Sequence, residues 1–314
     1  MENLLSLFSQ EFFYATMRMA SPIILIATGE VILQRSGIIN LGMESMVIIG
    51  AFLGVLGSSF FGSGWMGVLT AMAGGCLVGF LFGFFVISLR TNQSVTGIAF
   101  NVIGMGLTSV LNRVLWGIRM VPVQVDGIAR FPIPLLSKIP FIGPVLFDHT
   151  PIVYLAYILV FVAVFVLYKT SLGLKIRSIG EDPWAAASIG INVIRWRYSC
   201  IILAGCLAAM GGTILSLSQM NMFVEGMSGG RGYFALATVI LGQWHPIGAA
   251  LGGLLFGAGQ ALQMRLQVFG VPIASDLLLV FPFLLALIAV IIFHGEASAK
   301  PAALGKPYEK ERTL

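Results

Sequence analysis

The sequence predicts an all-α integral membrane protein, a polytopic helical bundle of about 8–10 spans in which one or more helices are broken. Three observations carry this. Of 314 residues, 58% are hydrophobic and only 10% charged, with a mean hydropathy of +0.96, which excludes an ordinary soluble domain. The apolar residues gather into runs long enough to cross a hydrocarbon layer of roughly 30 Å. The stretch from Gly29 to Glu44 sets three charges (Glu30, Arg35, Glu44), two amides and three glycines between two such runs. A charge at the bilayer centre costs roughly 2.5–3.5 kcal/mol, so this cluster must face protein, water or a passing solute. Glycines within a span let the helix unwind, and irregular backbone at membrane depth survives only where it lines a cavity. A broken polar helix near the midplane is a common way to build a transport path.

The apolar segments fall, in order, at about residues 11–33, 41–60, 65–89, 95–116, 151–168, 196–217, 233–243, 246–263 and 276–293. The first begins without a basic region or cleavage site and reads as a retained span. The third carries Gly75, Gly79 and Gly83, and the eighth the pairs Gly248/Gly252 and Gly253/Gly257. Such stripes let neighbouring backbones approach closely. The seventh is too short to cross alone and ends at Gln243-Trp244-His245-Pro246, so it reads as half of a broken or re-entrant helix. Val239-Ile240-Leu241 before that break echoes Val31-Ile32-Leu33 before the first one, a weak internal repeat. Cys76, Cys200 and Cys206 are an odd set in apolar segments, and His149, His245 and His294 have no partners at metal spacing. Neither a disulfide frame nor a metal site is expected.

Orientation follows from the basic residues. With the 169–195 loop inside, alternation puts eleven there: Arg35, Arg90, Lys169, Lys175, Arg177, Arg195, Arg197, Lys300, Lys306, Lys310 and Arg312. Six fall outside: Arg113, Arg119, Arg130, Lys138, Arg231 and Arg265. The N-terminus is therefore expected outside and the C-terminus in the cytoplasm. The net charge of +5 reflects this bias rather than nucleic-acid binding. Residues 117–150 form a Pro-rich external connection, either a docking surface or a passive connector. Domain organisation is one membrane domain over 1–296 and a disordered cytoplasmic tail over 297–314.

The inside loop holds a short bounded helix at about 182–189. Asp182 caps its first amides, Pro183 suits the first helical position, alanines propagate it and Gly190 stops it. Such a helix either packs into a groove on a soluble partner or lies on lipid headgroups with Trp184 as anchor.

Three segments together resemble one known family. Ser36-Gly37-Ile38-Ile39-Asn40-Leu41-Gly42-Met43-Glu44 is similar to the Ser-Gly-x-x-Asn-x-Gly-x-Glu signature of permease subunits in nucleoside-type ABC importers. Those importers are served by basic-membrane-protein lipoproteins and are related to ribose and branched-chain amino acid permeases. Asn92 to Asn101 is similar to a second signature, and Gly180-Glu181-Asp182-Pro183 through Ala186, Ala187, Gly190 and Arg195 to a third. Ser45 stands where members often have Gly, and Gln34 where an acid is frequent. The resemblance implies a type II ABC importer fold, with the 182–189 helix as the coupling helix on an ATPase. It also implies a path at the interface of two permeases, usually different chains.

The chain has no G-x-x-x-x-G-K-[ST] phosphate loop, so it is not expected to be an enzyme. It is expected to bind no cofactor, with ATP-Mg held by a partner ATPase. The expected function is translocation of purine or pyrimidine nucleosides. Simple sugars such as ribose and branched-chain amino acids are alternatives; an ATP-independent transporter or channel and a membrane scaffold are weaker ones. Other expected partners are an extracytoplasmic substrate-binding lipoprotein, a second permease and membrane lipid, with no nucleic acid. A path for neutral nucleosides needs donors and acceptors without strong fixed charge, which makes Ser36, Asn40, Asn92, Gln93 and Asn101 candidate solute contacts. The alternative is that they join helices by hydrogen bonds. Glu30, Arg35 and Glu44 are candidate gating or structural charges, with each Glu held by Arg35 or backbone amides. Gly180, Glu181, Asp182, Pro183, Trp184, Ala186, Ala187 and Gly190 are the candidate ATPase-coupling set.

Overall fold

The computed structural model describes residues 9–117, 122–269 and 300–309, with Val280, Leu284, Leu287, Ile288 and Ile291 besides. Among these are seven helices long and apolar enough to cross a membrane. They are α1 (Gln10–Arg35), α2 (Met43–Phe61), α3 (Gly64–Gly83, continued by a π turn to Ser88), α4 (Gln93–Trp116), α6 (Pro151–Lys169), α9 (Val193–Thr213, continued by a π turn to Met220) and α11 (Pro246–Val268). Shorter helices are α5 (Ile142–Phe147), α7 (Ser171–Glu181), α8 (Pro183–Ser188) and α10 (Arg231–Leu241). The described residues contain no strand. The expected segment at 276–293 lies largely outside them, as does His294.

Local chemistry sets the boundaries. Asn92, Asp182 and Asn192 accept backbone amides at the starts of α4, α8 and α9, and Pro151, Pro183 and Pro246 occupy first-turn positions. Gly62 closes α2 in the left-handed region, at φ 62°.

Burial runs from the middle outward. Of the most apolar stretch of α1, 89% is buried, against 22% in α4. α1 and α9 therefore form the centre, and α3, α4 and α6 turn residues such as Val102, Val114 and Phe161 outward, as a lipid-facing ring does. The glycine stripes work as anticipated. Gly75 and Gly205 meet at the α3–α9 crossing, where a Cβ on either would collide with the other's carbonyl. On α11, Gly253 lies against Ile24 and Gly257 against Ala20 of α1.

One end of the bundle carries α7, α8, the α1–α2 link and residues 300–309; the other carries Ser9 and the 122–150 connection. The 300–309 stretch departs from the expected disordered tail. Ala303 N–H donates to Gly180 O at 2.9 Å, Gly305 N–H to Gly37 O at 3.0 Å, and Arg197 to Lys306 O at 3.3 Å. Glu309 pairs with Arg90 at 2.6 Å, and Tyr308 packs on Trp184 with ring centroids 5.7 Å apart. Gly37 lacks the side chain that would press on Ala303, so this irregular segment finds backbone acceptors at Gly37 and Gly180. Residues 297–299 and 310–314 lie outside the described set.

Candidate transport site and coupling surface

The first polar cluster sits at the end of a helix, not in its middle. α1 runs unbroken through Gly29 and Glu30 to Arg35, and the break spans residues 36–42. Gly29 does not unwind the helix; it lets α9 approach, since a Cβ there would press on Ala204 and Leu207 at 3.1 and 3.2 Å. Glu30 is therefore only roughly 8 Å short of the helix end.

At this junction every polar side chain but one carboxylate oxygen closes on protein. Glu30 Oε1 accepts from Gln34 Nε2 at 2.8 Å and from Asn40 N at 3.4 Å, while its buried Oε2 has no partner. Gln34 Oε1 accepts from the Trp244 indole N–H at 2.6 Å. Arg35 donates to Trp244 O at 2.8 Å, and to Gln243 O and Tyr168 Oη at 3.3 and 3.4 Å. Arg35 thus holds backbone carbonyls at the second break rather than either expected glutamate. Gln243 and Trp244 both carry positive φ (51° and 55°), so a sharp non-glycine turn is pinned by this contact. The two breaks that echo each other in sequence touch in space.

The five candidate solute contacts all have protein partners. Ser36 Oγ donates to Leu33 O at 2.6 Å, and Asn40 Oδ1 accepts from Gly42 N at 2.8 Å. Gln93 Oε1 accepts from Ile39 N at 2.8 Å, and Asn92 caps α4. Asn101 Oδ1 accepts from Ser45 N at 2.9 Å, and its Nδ2 donates to Leu41 O and Tyr233 Oη, both at 2.7 Å. The bonds of Gln93 and Asn101 join α4 to the α1–α2 link, α2 and α10, while those given for Ser36, Asn40 and Asn92 are local.

Glu44, at the start of α2, holds α10. Its Oε1 accepts from Gly230 N at 2.8 Å and its Oε2 from Gly232 N at 2.7 Å, so a carboxylate sits on the helix N-terminus, where the dipole favours negative charge. Of the two holders expected for Glu44, the structure uses backbone amides. α10 is roughly 16 Å long and runs from Glu44 to the Trp244 junction, the half-helix expected of the seventh segment.

Beside the start of α10, α1, the end of α9, the 221–230 loop and α11 enclose a cleft of about 570 Å³. Its polar lining includes Arg18, Gln219, Arg231, Gln260 and Gln263, with Phe234 on the apolar side. Glu225 also reaches the cleft, but Arg113 grips it through Nε and Nη2 at 3.1 and 3.0 Å, which holds its carboxyl below the usual range. Sequence reasoning missed this group. Its one signal was Gln260 and Gln263, three apart on an otherwise apolar, Gly-rich helix.

On the α7–α8 face, Asp182 Oδ1 accepts from Trp184 N and Ala185 N at 2.9 and 3.0 Å. Trp184 (46% exposed) and Ile189 (74%) project outward, Ala186 is buried, and Gly190 ends the unit at φ 86°. Gly180 is a packing residue: a Cβ would strike the Arg35 carbonyl. Glu181 Oε2 accepts from Ala302 N at 3.3 Å. The exposed α8 is thus fastened, through Gly180, to the end of α1. Near the same junction His245 caps α11, its Nδ1 accepting from Ile247 N at 3.2 Å; burial, then the Arg35 charge, lowers its pKa.

Comparison with known proteins fits this architecture. Residues 12–290 match the family described as branched-chain amino acid transport system / permease component. The chain belongs to this permease family. The permease is 37% identical over 309 residues to the guanosine ABC transporter permease protein NupQ of Bacillus subtilis, covering 94% of this chain and 95% of that one. It is 34% identical over 302 residues to the nucleoside ABC transporter permease protein NupC of Lactococcus lactis subsp. cremoris, covering 93% and 95%. A Haloferax volcanii protein named for glucose, TsgC13, is 35% identical over 257 residues, covering 81% and 77%. A solved structure described as an inward-facing metal-chelate type ABC transporter shares the fold, with a TM-score of 0.51 at 16% identity over 89% of this chain and 85% of that one. The permease is accordingly a multi-span membrane component of an ABC transporter, the class its three motifs pointed to.

Proposed function

We propose that this permease is one transmembrane subunit of an ATP-driven importer of purine and pyrimidine nucleosides. The observation that carries the proposal is its 37% identity, over 94% of the chain, to a guanosine permease. In this reading the α7–α8 face is cytoplasmic, and α8 is the coupling helix seated on an ATPase that holds ATP-Mg. A second permease completes the path, and a substrate-binding lipoprotein delivers solute to the opposite face. Closure of the ATPase pair pushes α8, and the Gly180–Arg35 contact passes the motion to α1 and, through Arg35 and Trp244, to the half-helix α10. The test is uptake of labelled guanosine, adenosine, ribose and glucose by cells with and without this gene. Loss of nucleoside uptake alone supports the reading. Loss of glucose or ribose uptake alone, the outcome the TsgC13 likeness favours, overturns it. Replacing Asp182, Pro183 and Trp184 together should abolish ATPase pull-down, and a normal pull-down contradicts the coupling role of α8.

A further inference from the structure

The cleft combines open space with buried polar atoms that lack partners. Gln260 is 8% exposed, lines the cleft, and its Oε1 has no hydrogen-bond partner. A buried amide oxygen left unpaired costs roughly 1–3 kcal/mol, so a fold keeps one chiefly where something else pairs with it. A second unpaired group stands at the same height. Because Gly257 meets Ala20 and Gly253 meets Ile24, the antiparallel register of α11 on α1 brings Gln260 level with Arg18. The buried Nε of Arg18 likewise has no partner. Both side chains therefore line one space beside the first turn of α10, with these two atoms set just beneath its wall. The cleft is about 570 Å³, inside the roughly 300–1,000 Å³ range of small-molecule sites.

We propose that this cleft is a solute-holding site on the transport path, in which the Gln260 amide and the Arg18 guanidinium pair with the hydrogen-bonding edge of a purine base. The inference rests on the nucleoside reading and deepens it. A guanine edge offers two acceptors, O6 and N7, which suit a guanidinium, and an N–H donor for a free amide oxygen. Phe234 supplies an apolar surface for the flat base. Glu225 is already neutralised by Arg113, so the cleft presents no free carboxylate from that side to oppose base acceptors. Gln219 Nε2 is already held by Arg18 O at 3.0 Å, which leaves the neutral amide of Gln263 suited to a ribose hydroxyl.

The test uses the whole transporter in proteoliposomes with its ATPase, partner permease and binding protein. Gln260→Leu keeps the side-chain size and removes the amide. It should raise the KM for guanosine roughly tenfold while changing the KM for cytidine much less, because one lost buried hydrogen bond falls only on the base that uses it. A second measurement does not depend on that variant folding: Gln263→Cys in a chain lacking the native cysteines should react with a maleimide, and guanosine should slow the reaction. A selective KM shift or guanosine protection supports the site. If wild type carries nucleosides, yet the purine-to-pyrimidine ratio is unmoved and no protection is seen, the site is wrong and the functional reading stands. If wild type carries no nucleoside, the functional reading fails and takes this inference with it.

Discussion

The α1–α2 junction and the α1–α11 cleft are both polar places in an apolar bundle, and they handle polarity in opposite ways. At the junction, Ser36 and Asn40 are bonded to the backbone close by in sequence, Gln93 and Asn101 are bonded to other elements, and the Glu44 carboxylate carries two amides. In the cleft, Gln260 and Arg18 keep buried polar atoms without protein partners. The difference teaches that polarity in a membrane helix does not by itself mark a path. Polar groups bonded to protein fasten the junction, and the cleft sets open space beside its unpaired groups. Glu30 tests that lesson from inside the junction: its Oε2 is unpaired, yet it faces packed protein rather than the cleft.

Substitution separates the two regions, and the largest effect belongs to the fastening. Glu44→Ala strips two buried amides of a charged acceptor and should lower stability by about 3 kcal/mol, read as a fall in the detergent melting temperature together with lost transport. A melting temperature unchanged from wild type would mean that the α10 cap is not structural.

A smaller effect is expected at His245. Its pKa is lowered by burial and by Arg35, so the folded state favours the neutral ring, whose Nδ1 caps α11. The sign follows: the stabilisation is present above the unfolded value of about 6.5 and is lost as pH falls below it. His245→Asn keeps a capping acceptor and removes the titration, so melting temperature should fall less between pH 7.5 and about 5.5 in the variant than in wild type. Identical pH profiles would remove this residue from the account.

The smallest effect should come from the cleft. Gln260→Leu deletes an unpaired group, so stability should change by under about 0.5 kcal/mol, or rise, while purine transport suffers. A destabilisation as large as that of Glu44→Ala would show that Gln260 is a fastening as well.

What was legible in the sequence was local. Hydropathy placed the spans, and Asp182, Pro183 and Gly190 bounded α8, because caps and turns are set by residues within a few positions of one another. The half-helix was legible from the length of its apolar run and from Gln243-Trp244-His245-Pro246 after it. The glycine stripes foretold close helix crossings without saying with which partner. Contacts between distant residues were not legible. Glu44 meets Gly230 and Gly232, Arg35 meets Trp244, and Gly37 and Gly180 seat the 300–309 segment, each contact made only by the topology. Reading the Gly29–Glu44 stretch as a broken mid-span helix failed because the close approach of α9 needed a small residue at position 29 and left the helix intact.

The most direct test of the central claim is guanosine accumulation in proteoliposomes, measured for this permease alone and for the full set of subunits with ATP-Mg. Uphill accumulation is expected only with the complete set, and it should disappear when ATP is replaced by a non-hydrolysable analogue. Concentrative uptake by this chain alone, with no nucleotide consumed, would contradict it.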